Sequence, residues 1–220
     1  MKQIDKSTLQ FLRNLKKNNN REWFRDHRPA FESARANFES FVQAVIDEIA
    51  TFDPIIRGLE AGSCMYRINR DIRFSTDKTI YKTHMGAFIV RGGKKFGDRY
   101  AGYYFHVEPS NSMIAGGAYM PPMPWLRAIR EKIDAQGDKL LAITRSGGFV
   151  KHFGRLEGET LKSAPRGYTS DHKRADLLKM KSYLVTEMLS DAVIVSPGCF
   201  ETVIKSCKAM KSLNDFLNDY

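Results

Sequence analysis

Residues 64–74 read CMYRINRDIRF, and the period of that stretch decides the fold. Tyr66, Ile68, Ile72 and Phe74 fall on one side of an extended chain, while Arg67, Asn69, Asp71 and Arg73 fall on the other. The two-residue period predicts a strand. STDK (75–78) is a turn-rich break, and THMGAFIVRGG (83–93) reads as the next strand before a Gly- and Lys-containing turn. YAGYYFHVEP (100–109) and SMIAGGAYMP (112–121) add two more around a short PSNS connection. Consecutive strands with short links predict an antiparallel sheet spanning about residues 64–120.

On either side the period becomes helical. Asp5 and Ser7 can cap a first helix whose Leu9, Leu12 and Leu15 share a face, ending at the Asn run 18–20. Pro29 suits a first helical position, and Phe31, Ala34, Phe38, Phe41, Val42, Val45 and Ile49 recur at spacings of three and four to near Phe52. Trp23 and Phe24 read as core anchors of this unit. After Pro124, residues 124–136 and 138–146 are helical with SGG (146–148) as a stop; 158–172 is a loop, and ADLLKMKSYLVTEML (175–189) reads as a helix. Ser196 and Pro197 open a last helix with Phe200, Val203, Ile204, Cys207, Met210, Phe216 and Leu217 on one stripe. Helices at both ends and strands segregated between them predict an α+β fold, and 220 residues without a linker predict one domain, 1–220.

Composition narrows the setting. No apolar run approaches the roughly 18–20 residues of a membrane span, and the N-terminus alternates charged and isolated apolar residues, unlike a signal peptide. Both readings predict a cytoplasmic protein that does not engage a membrane. The three cysteines, Cys64, Cys199 and Cys207, match neither a zinc site nor a CxxC pair. Cys207 reads as a small core residue, and Cys64 as the thiol next to the charged stretch. The net charge of +10 is not spread evenly: residues 67–99 hold nine Lys or Arg against three Asp or Glu. A local excess points to a site rather than to general adhesion.

That excess begins in RINRDIRFSTDKTIYKTH (67–84), with five Lys or Arg, two Asp and one His. Arg70 is out of phase, between Ile68 and Ile72, so it needs a carboxylate partner, for which Asp77 is the local candidate, or a pocket edge. Arg67, Arg70, Arg73, Lys78 and Lys82 supply cationic groups for an anionic ligand, and Asp71 and Asp77 can orient the arginines. Tyr81, His84, His106 and Glu108 are the groups available for proton transfer. His106 and Glu108 share a strand face with Tyr104; a His-x-Glu reads first as a structural hydrogen-bonded pair, and with His84 or Asp71 nearby it would make three ligands, so no metal set is assigned. Arg166, Tyr168 and His172 sit in a loop with no evident packing role, which makes them functional candidates, and Arg166 joins the residues expected to bind the anionic ligand. The P-loop, dinucleotide-fold, nucleophile-elbow, HExxH and EF-hand patterns are all missing, and no cofactor or oligomeric state follows from the sequence.

RINRDIRFSTDKTIY also resembles the signature of the family known as domain of unknown function 2461, which runs Arg, two residues, Arg-Asp, one residue, Arg-Phe, three residues, Asp or Asn, Lys, two residues, Tyr. Its positions here are Arg67, Arg70, Asp71, Arg73, Phe74, Asp77, Lys78 and Tyr81. NNNREWF, YKTHMGAF, GYYFHVEP, GGAYMP, APRGY and KAMKSLNDFL are similar to that family as well, so the resemblance covers nearly the whole chain. It implies a mostly bacterial protein of about this length, and carries no activity with it.

Three readings of the charged stretch follow. The first is a cationic pocket for a small phosphate-bearing or nucleotide-like ligand, with catalysis left open. The second is a nucleic-acid-binding module, ranked lower because the arginines are interleaved with aspartates. In the third the signature is an internal ion-pair network, for which Arg70→Ala would cost on the order of 3–5 kcal/mol if the pair is buried.

Overall fold

A computed structural model of the chain describes residues 2–73 and 76–219. Phe74 of the signature lies outside the described residues. Helices α1 (Lys6–Lys17), α2 (Arg21–Asp26), α3 (Arg28–Phe52) and α4 (Ala61–Cys64) precede strands β1 (Met85–Ile89), β2 (Gly102–Val107) and β3 (Ser112–Ala118). Then come α5 (Met123–Thr144), α6 (Gly147–Phe153), α7 (Ala175–Leu178), strand β4 (Tyr183–Leu189), α8 (Asp191–Ile194) and α9 (Cys199–Asn218). The fold is α+β. The four strands pair antiparallel in the order β1-β2-β3-β4.

Alternation along the strands gives the sheet two unlike faces. Tyr103, Phe105, Val107, Ile114 and Val185 are buried on the face covered by α3 and α9. Phe38 and Phe41 of α3 stack on Phe105 with ring centroids 5.8 and 5.2 Å apart, and each such ring taken from water contributes roughly 1.5–3 kcal/mol. Asn214 of α9 donates to the Gly102 carbonyl at 3.1 Å, fixing that helix on the sheet. The opposite face carries Phe88, Tyr104, Met113, Ala115, Thr186 and Met188, all partly or well exposed, and the buried His106.

Two expectations are corrected. Residues 183–189, read as part of a helix, form β4, with Tyr183, Val185 and Leu189 buried at alternate positions. Helix formers such as Leu, Met and Glu are overridden because pairing with β3 satisfies the backbone. Of the stretch 64–74, read as the first strand, Cys64 ends α4, and among the described residues 65–73 only isolated bridges form, Met65 to Ala87 and Asn69 to Tyr81. Tyr66 N–H donates to the Gly86 carbonyl (2.9 Å) and Lys82 N–H to the Ile68 carbonyl (2.8 Å), so the single residue Arg67 lies opposite three, Thr83, His84 and Met85. The two extra residues bulge out and break the ladder, and such bulges re-aim side chains. The sheet therefore takes its fourth strand from the C-terminal half of the chain. Two smaller boundaries also move: SGG ends α5 and opens α6 through the Ser146 cap, and α9 starts at Cys199 with Gly198 as its cap.

Candidate functional site

The start of the chain holds the signature in place. Asn19 donates from Nδ2 to the Tyr81 carbonyl and accepts from the Tyr81 N–H, both at 2.9 Å. The Tyr81 ring is buried and stacks on Phe24 with centroids 4.1 Å apart. Tyr81, a proton-transfer candidate from sequence, has its ring packed on α2 and also lines a small recess with His84.

The signature divides into two groups. At the tip, Asp71 accepts from Arg73 Nε (3.0 Å) and Nη2 (2.7 Å), and Asp77 pairs with Arg70 and with Thr79. Hydrogen bonds from Arg73 hold the Asp71 carboxyl below its ordinary range, and those from Thr79 and then Arg70 do the same for Asp77. Lys78 donates to the Ile72 carbonyl at 3.2 Å. These charges largely satisfy one another. The Asp77 partner expected for Arg70 is present, but the pair is partly solvated, with side-chain exposures of 27% and 56%.

The second group opens onto a cleft of about 620 Å³ between α3 and the segment 65–69. Its lining includes Arg28 and Arg35 of α3, Arg67, Lys82 and Lys94, over a floor that includes Phe24, Phe31 and Phe38. No carboxylate is among the residues lining it. Arg28 and Arg35 are tied to Glu32 and Glu39 on their own helix (2.8 and 3.9 Å), while Lys82 donates to the Arg67 carbonyl (2.9 Å) and Lys94 to the Ser63 carbonyl (3.2 Å). The exposed Arg67 guanidinium makes no hydrogen bond or ion pair among the described residues. Burial and the neighbouring Arg67 lower the Lys82 ammonium below its usual range.

At one end of this cleft stands His84, which also lines a smaller neighbouring recess of about 480 Å³ with Arg70, Asp71 and Asp77. Its ring lies 4.3 Å from that of His106. His106 Nε2 is 3.3 Å from Glu108 Oε2, and its Nδ1 is 2.9 Å from the Tyr104 hydroxyl. Glu108 accepts from the Thr83 hydroxyl at 2.7 Å and from Asn111 Nδ2 at 2.9 Å. The donor atoms of His84, His106 and Glu108 lie within 4.8 Å of one another, close enough for the three to hold a metal ion. Burial and then His106 push His84 down to about 4, and burial lowers His106 against the pull of Glu108. Burial would raise Glu108, but hydrogen bonds from Asn111, Thr83 and His106 outweigh it and leave the carboxyl lowered. Tyr104 is pushed up to about 12, by burial first and then by Tyr66 and Glu108.

Gly86 makes this arrangement possible. It is the β1 residue paired with His106, and a Cβ there would stand 2.9 Å from the Tyr104 hydroxyl.

Not every sequence candidate arrives here. Arg166 is exposed on the loop before α7, on the β4 side of the sheet, and lines neither of the two recesses. His172 of that loop is spent on Asp134 at 3.0 Å. The Cys64 thiol is fully buried and raised by that burial, so it stays protonated. Conversely, the sequence reading passed over Arg28, Arg35 and Lys94. The signal for the first two was present: Arg28, Phe31, Arg35 and Phe38 recur at spacings of three and four, which places them on one helix face.

Comparison with known families bears out the family resemblance. Residues 7–216 match the family described as "Conserved hypothetical protein (DUF2461)". The chain belongs to this family. No curated protein and no solved structure matches it.

Proposed function

We propose that this is a cytoplasmic protein whose cationic cleft binds a small, phosphate-bearing or nucleotide-like anion. The observation that carries the reading is the lining of the larger cleft: five cations and no carboxylate, above three phenylalanines. Arginine grips phosphate oxygens in pairs, and an aromatic floor offers a face to an apolar or ring portion of the same ligand. Arg67, with no partner among the described residues, is the guanidinium with most to gain from an arriving anion. Arg28, Arg35, Lys82 and Lys94 supply the surrounding positive field. Among the described residues no helix is long and apolar enough to cross a membrane, and three unpaired cysteines suit a reducing compartment.

A thermal-unfolding screen with inorganic phosphate, nucleotides, phosphosugars and short oligonucleotides tests this reading, with wild type beside Arg67→Ala and Arg70→Ala. A ligand at a hundredfold excess over its Kd adds about 2.7 kcal/mol, or roughly 5–10 °C for a chain of this size. The expected result is a shift of that order with a small phosphorylated ligand, lost in a well-folded Arg67→Ala. A shift with oligonucleotides alone would favour the nucleic-acid module. No shift with any anion would leave the signature as architecture.

A further inference from the structure

We propose that His84, His106 and Glu108 form a binding site for a divalent first-row transition metal of the zinc type, with its free coordination positions facing the two recesses. Two imidazoles and one carboxylate suit such an ion, and three protein ligands leave room for water or substrate. An ion about 2.0–2.2 Å from each donor sets adjacent donors roughly 3.3–3.6 Å apart. The 3.3 Å between His106 Nε2 and Glu108 Oε2 already meets that spacing. His84 has its donor within 4.8 Å of the other two and completes the set by turning its ring.

The surroundings separate this cluster from an ordinary hydrogen-bonded pair. Two of the ligands are oriented from behind: the buried His106 by the Tyr104 hydroxyl on Nδ1, and the partly buried Glu108 by Thr83 on one oxygen and Asn111 on the other. Partners of this kind hold metal ligands at the right angle. The tyrosine hydroxyl serves either state of the histidine. Without an ion it donates to Nδ1, while Nε2–H donates to Glu108. With an ion it accepts from Nδ1–H, and the Nε2 lone pair is free for the metal. Both nitrogens of the His106 ring thus keep a partner in either state.

The half-buried His84 imidazole makes no hydrogen bond among the described residues, although its ring lies against that of His106. A histidine at the bulge, open to both recesses and without a hydrogen bond, is poised to serve as the third ligand. The cations of the neighbouring cleft repel a bare divalent ion, so the Glu108 charge matters most. This proposal stands or falls independently of whether the cleft takes an anion.

The test is titration of untagged, chelator-stripped protein with Co²⁺, read by its ligand-field absorption, followed by displacement with Zn²⁺. Wild type should bind one equivalent. His84→Ala and Glu108→Gln should each weaken binding by roughly 100-fold or more, and Tyr104→Phe by about 10–100-fold, as loss of an orienting partner does. His152→Ala, which alters a different His–Glu pair, should leave the titration unchanged. Circular dichroism confirms that each variant is folded, and Glu108→Gln keeps the side-chain shape should His84→Ala be perturbed. Absence of the absorption bands in wild type, or wild-type affinity in His84→Ala and Glu108→Gln, would overturn the assignment.

Discussion

The sheet carries two histidine–glutamate pairs, one on each face. On the helix-covered face, His152 of α6 meets Glu187 of β4 at 2.8 Å, and Ser206 of α9 donates to the same carboxylate oxygen at 2.6 Å. On the opposite face, His106 and Glu108 sit at 3.3 Å beside a second histidine and two recesses. The chemical groups are alike, and their settings differ. Glu187 is used up by elements that must pack against it, so its pair fastens α6 and α9 to β4. The Glu108 carboxylate is oriented by Thr83 and Asn111, with His84 beside it at the mouth of the cleft. A pair of residue types therefore says little until the third neighbour and the access route are known.

The difference can be broken from either side. The largest effect is expected from Glu187→Ala, which leaves His152 and Ser206 without their shared acceptor. It should lower unfolding stability by about 2–3 kcal/mol in urea titration, with no loss of Co²⁺ binding. Gly86→Ala attacks the other pair, since the added methyl displaces the Tyr104 hydroxyl from His106. Overpacking of this sort costs about 1–2 kcal/mol and should weaken Co²⁺ binding, which Glu187→Ala should not.

A pH series separates the faces again. On the helix-covered side burial raises the Cys207 thiol, and burial with Glu201 pushes Cys199 up to about 12. A raised folded-state pKa stabilises fully below the unfolded thiol value and loses that stabilisation as pH rises above it. Stability should therefore be level below about pH 8 and fall by up to about 1.4 kcal/mol per pH unit per thiol above pH 9. Cys207→Ala should flatten part of that decline. The smallest effect is expected from Arg70→Ala. The exposure of its Asp77 pair limits the loss to below about 1 kcal/mol, far under the 3–5 kcal/mol of a buried pair. Equilibrium unfolding that shows the larger figure would restore the signature as a buried network.

The same comparison explains what the sequence disclosed. Three strands, the long α3 with Phe38 and Phe41, the α+β arrangement and the Arg70–Asp77 pair all follow from local period and local charge. Strand β4 did not, because Glu187 occupies an inward position and spoils the alternation. Its hydrogen-bonding partners, His152 and Ser206, come from helices distant in sequence. The strand expected at 64–74 failed for the converse reason: its alternation is real, but the residues added opposite Arg67 are visible only in the pairing. At the site, His106, Glu108 and Tyr104 were legible as one strand face. The approach of His84 depends on the bulge, and the contribution of Arg28 and Arg35 depends on how α3 lies across the cleft.

The reciprocal grip of Asn19 on Tyr81 has a consequence for how the cleft comes into being. A side-chain amide here imitates a strand neighbour, offering one donor and one acceptor to a backbone 62 residues away. Closing so long a loop carries an entropic cost that nearby contacts avoid. As the chain emerges from the ribosome, Arg28 and Arg35 are made first and wait on a wall with nothing opposite. Arg67 and Lys82 follow, on the other side of a contact that spans 62 residues. The latch at Tyr81 thus helps hold together two groups of cations that lie far apart along the chain, Arg28 and Arg35 on one side and Arg67 and Lys82 on the other.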